Sequence, residues 1–209
     1  KWFGDIAPGD RYVRDIKPEP PQTEARKKTV TRDVPLDALY KCWHMPARME
    51  QGYYVADLIG DILGGSTSSR LYQVLVKEKK MFSNIECYHY GSVERGLLTI
   101  EGKLVKGVDI YEAEQAIEDL LDQLKNGKID EKDLQKVKNK TESLMAFEDM
   151  TLMNRANSLA FYELLGDANL MNTELEKYQA VTIDDIIEEA RRIFDVNNSN
   201  TLYYLSGKK

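Results

Sequence analysis

The run from Gly96 to Lys106 alternates without a break, with Leu98, Ile100, Gly102 and Leu104 on one side and Thr99, Glu101 and Lys103 on the other. A two-residue period of this kind describes a strand with one face on a core and the other in water. Strands with that pattern belong to a largely antiparallel sheet whose covering layer lies on a single side. Lys27 to Arg32, Leu39 to Met45, Asn84 to Tyr90 and Thr201 to Leu205 read as further strands, and Ser92 to Arg95 as a hairpin connection. In the second of these, Leu39, Lys41 and Trp43 oppose Tyr40, Cys42 and His44.

The covering layer is equally legible. From Met49 to Leu63, Val55, Leu58, Ile59 and Ile62 recur at helical spacing, and Gly64-Gly65 ends the run. Ser66 to Ser69 offer N-caps for a second helix through Lys79, with Leu71, Val74 and Leu75 facing inward. Ala113, Ala116, Ile117, Leu120 and Leu124 form another stripe, closed by Gly127, and Asp130 caps a helix through Leu134, Val137, Leu144 and Met145. Met150 to Leu165 reads as a helix ended near Gly166, and Thr182 with Asp185 as a capping box ahead of Ile186, Ile187, Ala190 and Phe194. The expected fold is α+β, two-layered, a mainly antiparallel mixed sheet covered by several helices on one face.

The 209 residues suit one large domain, preceded by a proline-rich stretch over residues 1–23 that resists helix and sheet. The N-terminal Lys1 fits a processed protein or a piece of a longer one. With 35 acidic against 29 basic residues the chain is unsuited to phosphate backbones, so no nucleic-acid partner is expected. No apolar stretch approaches the roughly 18 residues of a membrane helix, and no signal pattern opens the sequence, so no membrane span and no compartment are assigned.

Cys42 and Cys87 make no paired-cysteine motif and read as strand thiols, while His44 and His89 share no metal-ligand spacing. The charge runs Lys136, Lys138, Lys140 and Glu112, Glu114, Glu118, Asp119 read as solvated helix faces. Core packing is expected for Tyr88 and Tyr90, which share a strand face, and for Phe161 and Tyr162. Gly64-Gly65 lacks the flanking residues of a phosphate-cradling loop and reads as a turn between helices.

Lys1-Trp2-Phe3-Gly4-Asp5-Ile6, the proline-rich stretch, and Leu63-Gly64-Gly65-Ser66-Thr67-Ser68-Ser69-Arg70-Leu71-Tyr72-Gln73-Val74-Leu75 together resemble the M16 (pitrilysin or insulinase-like) metallopeptidase family over essentially the whole chain. The resemblance implies paired homologous domains, one carrying His-x-x-Glu-His and a distant Glu that hold zinc, the other completing a substrate chamber. This chain has no His-x-x-Glu-His and resembles the second kind, a C-terminal inactive domain over residues 24–209, with residues 1–23 the end of a preceding half and a linker. No cofactor is expected in this chain. Zinc is expected in a catalytic partner domain, in the same chain or another subunit, with peptide as substrate.

Many active members contribute from this half an Arg and, seven residues later, a Tyr that hold substrate. Those positions fall here at Val76 and Ser83, with Lys77 the nearest cation and Phe82 the nearest aromatic; a shifted register would pair Lys77 with Asn84. Arg70 suits a structural ion pair better than a substrate carboxylate. The candidate substrate-binding set is therefore Arg70, Lys77, Phe82, Ser83 and Asn84, with no catalytic residue and no metal ligand. Two functions are open at this point: part of the peptide chamber of a zinc endopeptidase, or a scaffold domain of a proteolytically inactive relative.

Overall fold

A computed structural model describes residues 4–7, 9, 17, 19–91, 93–148 and 150–207. Lys1-Trp2-Phe3, Pro8, residues 10–16 and Pro18 of the proline-rich stretch, and Ser92 of the expected hairpin turn lie outside the described residues. Five strands, β1 (Arg26–Arg32), β2 (Ala38–Ala47), β3 (Phe82–Tyr90), β4 (Arg95–Leu104) and β5 (Ser199–Ser206), form one sheet in the order β1-β5-β2-β4-β3. Only β1 and β5 run parallel; the other three pairings are antiparallel. The helices are α1 (Gly52–Gly64), α2 (Ile110–Lys125), α3 (Glu131–Glu148), α4 (Leu152–Leu164), α5 (Glu174–Gln179) and α6 (Ile183–Ile193). The α+β fold with a mixed, mainly antiparallel sheet stands as expected.

The alternation of β4 fixes which way the sheet faces. Leu98, Ile100 and Leu104 are buried together with Leu39, Trp43 and Met45 of β2 beneath Leu58, Ile59 and Leu63 of α1, Ile117 and Leu121 of α2, and Ile186 and Ala190 of α6. Trp43 meets the Phe194 ring edge-on at 5.0 Å, closing the core at the end of α6. The Thr182–Asp185 capping box is formed in full, and Gly127 takes the left-handed conformation, φ +80°, that stops the turn after α2.

Several expectations are corrected. The stretch after Gly65 is a π-helical turn, Tyr72–Glu78, in which the Lys79 amide reaches back to the Val74 carbonyl; the Ser66–Ser69 hydroxyls do not cap it. Glu114 and Lys138 are buried rather than solvated: Lys138 lays its stem on the core and donates to the Gln179 carbonyl at 2.8 Å. α4 buries none of its residues, so Phe161 is 41% exposed and Tyr162 only half-buried. Tyr88 and Tyr90 stand edge-on to one another at 5.3 Å on the face without helices, Tyr90 65% exposed. Both cysteines are free thiols, Cys87 buried and Cys42 half-buried.

Candidate functional site

Strand β3 is an edge of the sheet, paired with β4 alone, and the motif around Gly64 to Leu75 is folded against it. α1 ends so close to this strand that a Cβ on Gly64 would lie 2.5 Å from Cys87 Cβ and 2.7 Å from its Cα. Gly64 to Thr67 and Tyr72 on one bank, Asn84 to Tyr88 on the other, line a groove of 370 Å³ along the strand. Arg70 holds the motif in place from behind: its guanidinium donates to Asp133 Oδ2 at 2.7 Å and to the Lys128 carbonyl, fastening the π-helical turn to the start of α3. Lys77 rests its ammonium over the Tyr72 ring at 5.7 Å. Ser83 donates to the Lys103 carbonyl at 3.1 Å and Asn84 to Glu86 Oε1 at 2.8 Å, both exposed.

Of the expected residues Asn84 lines the groove; Ser83 precedes it and turns to β4, Lys77 reaches the bank only through the Tyr72 ring, and Arg70 is put to structural use nearby. Phe82 is 1% exposed, its ring under Gly102, and presents no surface to a ligand. Val76 is half-buried against the core.

Behind β3 lies a polar network that the sequence reading did not assemble. Arg48, just past β2, is held between the Tyr54 hydroxyl at 2.8 Å, the Glu174 carboxylate of α5 and the Tyr53 ring, 4.7 Å from its centre. Burial works against the Arg48 charge, but the Glu174 carboxylate and Tyr54 outweigh it and hold the guanidinium protonated. One turn along α1, Asp57 Oδ1 sits 3.1 Å from His89 Nδ1, Tyr178 donates to Asp57 Oδ2 at 2.7 Å, and His89 Nε2 meets the Tyr53 hydroxyl at 3.2 Å. Lys140 of α3 pairs with Asp61 at 2.6 Å. Arg48, Asp57, Asp61, Lys140, Glu174 and Tyr178 border a cavity of 290 Å³, and no buried side-chain nitrogen or oxygen among the described residues lacks a partner. The network clamps β3 to α1, α3 and α5; it has no uncommitted nucleophile or base.

Residues 1–141 match the family described as "Peptidase M16 inactive domain". The chain belongs to that family. Along 99% of its length this M16 inactive domain is 26% identical to YmxG, an uncharacterized zinc protease of Bacillus subtilis (strain 168). It superposes on a protease from Helicobacter pylori with TM-score 0.87 at 20% identity, covering 94% of this chain and 48% of that one. A peptidase M16 inactive domain from Pseudomonas fluorescens matches with TM-score 0.75 at 16% identity, covering 94% of this chain and 46% of that one. The chain spans half the length of YmxG and about half of the Helicobacter protein.

Neither histidine of this M16 inactive domain stands with other metal-ligating side chains, among the described residues, in the arrangement of a zinc site. Both ring nitrogens of His89 are engaged by Asp57 and Tyr53, and His44 faces Glu19 at 3.8 Å on another strand. Among the described residues no three His, Cys, Asp or Glu side chains are arranged around a common point that could hold a metal ion. No helix among them is long and apolar enough to cross a membrane. One sequence signal pointed to the clamp: Asp57 and Asp61 are the charged residues of an otherwise apolar helix, four apart and so on one face.

The clamp should be pH-dependent. The hydrogen bond to Asp57 raises the His89 pKa above its ordinary 6.5, against burial, with the Asp57 and Asp61 charges adding and Arg48 opposing. A raised histidine pKa contributes stability in full below about 6.5, and that contribution is lost as pH rises through the folded-state value. We therefore expect the His89 ring to titrate in an NMR experiment above 6.5, and melting temperature to fall over the same interval. Asp57→Asn should bring the midpoint down and flatten that fall; an unchanged midpoint would show that the ion pair does not form.

Proposed function

We propose that the domain forms one wall of the peptide chamber of a zinc-dependent M16 endopeptidase, facing a separate His-x-x-Glu-His domain that holds the metal and carries out the hydrolysis. The catalytic domain lies in the same chain or a partner subunit. Residues 1–23 are the connection from a preceding half and residues 24–209 the inactive domain itself.

The observation that carries this reading is the open β3 edge with the motif folded beside it. An extended peptide pairs with such an edge through main-chain hydrogen bonds, which give affinity without demanding one sequence. Asn84 lines the strand bank with Ser83 beside it, Lys77 rests on Tyr72 of the opposite bank, and Arg70 positions that opposite bank. The likeness to a zinc protease of twice this length supports the assignment of chemistry to another domain.

The test is hydrolysis of a mixed quenched-peptide pool with zinc supplied, by this chain alone and by the complete protein or assembly. We expect activity in the complete assembly and none in the chain. Hydrolysis by the chain alone would overturn the reading. Val76, packed on the core, and Ser83, spent on the Lys103 carbonyl, favour a scaffold role as the second reading; a complete assembly that cleaves nothing would move the assignment there.

A further inference from the structure

The face of the sheet without helices carries a cavity of 600 Å³ that runs from β1 across β5 and β2 to β4. Tyr40 and Cys42 of β2 point into it because Lys41 and Trp43, between and beyond them, point to the core. The pairing register sets its lining in two rows, Arg26, Asn200, Cys42 and Thr99 in one, Lys28, Leu202 and Tyr40 in the next. Tyr40, Cys42 and Leu202 are half-buried and Thr99 is buried, so the floor is shielded and largely apolar although no second layer lies on it. Arg26 and Lys28 stand exposed at the β1 side, while Lys27 between them turns to Glu114 on the other face.

Neither Arg26 nor Lys28 makes an ion pair or a side-chain hydrogen bond among the described residues, and the lining contains no carboxylate. Glu24, two residues ahead of Arg26, makes no ion pair with it; Glu19 faces His44 at 3.8 Å. Glu101 lies three strands from Lys28 along the second row and accepts from the Tyr88 hydroxyl at 3.1 Å. An apolar floor with a few polar groups at one side is the make-up of a ligand site, and a guanidinium beside an ammonium suits a carboxylate.

We infer that this cavity is a second peptide subsite, apart from the β3 edge, for an extended segment carrying a bulky apolar residue and, two residues away, glutamate or aspartate. The inference rests on the chamber-wall reading and names a substrate preference for it. Arg26 and Lys28 lie two strands, about 10 Å, from Cys42 and Tyr40. Residues two apart on an extended peptide point the same way about 7 Å apart, and the reach of the arginine and lysine side chains closes the difference. The apolar side chain settles on Tyr40, Cys42 and Leu202, and the carboxylate meets the two cations.

The experiment uses this chain with labelled, C-terminally amidated peptides of one extended sequence, carrying Leu-x-Glu, Leu-x-Gln or Ser-x-Glu at the same place. Affinity is read by fluorescence anisotropy over a salt series, and occupancy by the rate of Cys42 alkylation with a maleimide, Cys87 being buried. Exposed charge contacts are weak and screened, so the Leu-x-Glu peptide should bind about fivefold tighter than Leu-x-Gln at low salt, an advantage that vanishes by about 0.5 M. It should bind about tenfold tighter than Ser-x-Glu at any salt, and at saturation should slow the alkylation of Cys42. Arg26→Glu with Lys28→Glu should abolish the preference for Glu over Gln and keep that for Leu, whereas Lys132→Glu on α3 should change neither. Equal affinities, no binding, a Glu preference that survives the double variant, or Cys42 alkylation unchanged by saturating peptide would each overturn the inference. The chamber-wall reading fails on a different result, a complete assembly that cleaves no peptide.

Discussion

Replacing Lys41 by methionine should cost the domain about 3–5 kcal/mol, the penalty for stranding a buried carboxylate. Lys41 lies on the helix-facing side of β2, 2% exposed, with its ammonium 2.7 Å from Glu114 and 2.6 Å from Glu118 of α2 and 3.2 Å from the Thr201 hydroxyl of β5. Glu114 also accepts from Lys27 of β1 at 3.2 Å and from the Tyr203 hydroxyl, so four elements meet on one carboxylate. Methionine fills the space of the stem and removes only the charge. A domain of this length should lose roughly 10 °C or more in melting temperature. The double variant Lys41→Met, Glu114→Leu should recover much of the loss, because it removes both charges. A single variant that melts within a degree or two of the parent would show that the pair is not buried in solution.

The same carboxylate sets the acid limit. Burial by itself would raise the Glu114 pKa, but hydrogen bonds from Lys41 and Tyr203, the Lys41 charge and the Lys27 contact hold it at about 2, against an ordinary 4.5. A depressed carboxylate pKa contributes stability in full above about 4.5, and that contribution, at most about 3 kcal/mol, is lost as pH falls from there toward 2. Acid unfolding of the parent should show this slope. Lys41→Met should blunt it.

What the sequence disclosed follows from which forces are local. The period of β4 is written in adjacent residues, because water on one side and core on the other sort Leu98, Ile100 and Leu104 from Thr99, Glu101 and Lys103. The Thr182–Asp185 cap and the stop at Gly127 are likewise contained in a few residues. The place of β5 is not: it enters the middle of the sheet, Thr201 beside both Lys27 and Lys41, through pairings across more than half the chain. The charge runs misled at Glu114 and Lys138 for a related reason. Lys136, Lys138 and Lys140 cannot share one face of a helix, and each finds its own partner, the Ser68 carbonyl, the Gln179 carbonyl and Asp61. At the site, the motif from Leu63 to Leu75 is continuous and was legible. The clamp behind it draws on β2, α1, β3, α3 and α5, and only its two aspartates left a mark in sequence.

Gly64→Ala should be the most damaging small substitution along the groove, at about 3 kcal/mol or more. Gly64-Gly65 reads in the sequence as a helix stop, yet no positive φ requires glycine at Gly64. What requires it is the approach of β3: the added methyl would meet the Cys87 amide nitrogen, its Cα at 2.7 Å and its Cβ at 2.5 Å, atoms of a paired strand that cannot rotate away. Relief demands that α1 and β3 part, which loosens the packing of Leu63 and Cys87 and displaces one bank of the groove. Gly60→Ala on the same helix is the control. Its methyl would find Leu98 Cδ1 at 3.4 Å, ordinary contact, while alanine gains up to about 1 kcal/mol of helix propensity over glycine. Denaturant unfolding should therefore place the Gly60 variant at or slightly above the parent and the Gly64 variant well below it. Peptide affinity, measured where each variant is still folded, should fall only in the second. Two variants of equal stability would mean that helix propensity, and not the contact with β3, is what glycine provides at this end of α1.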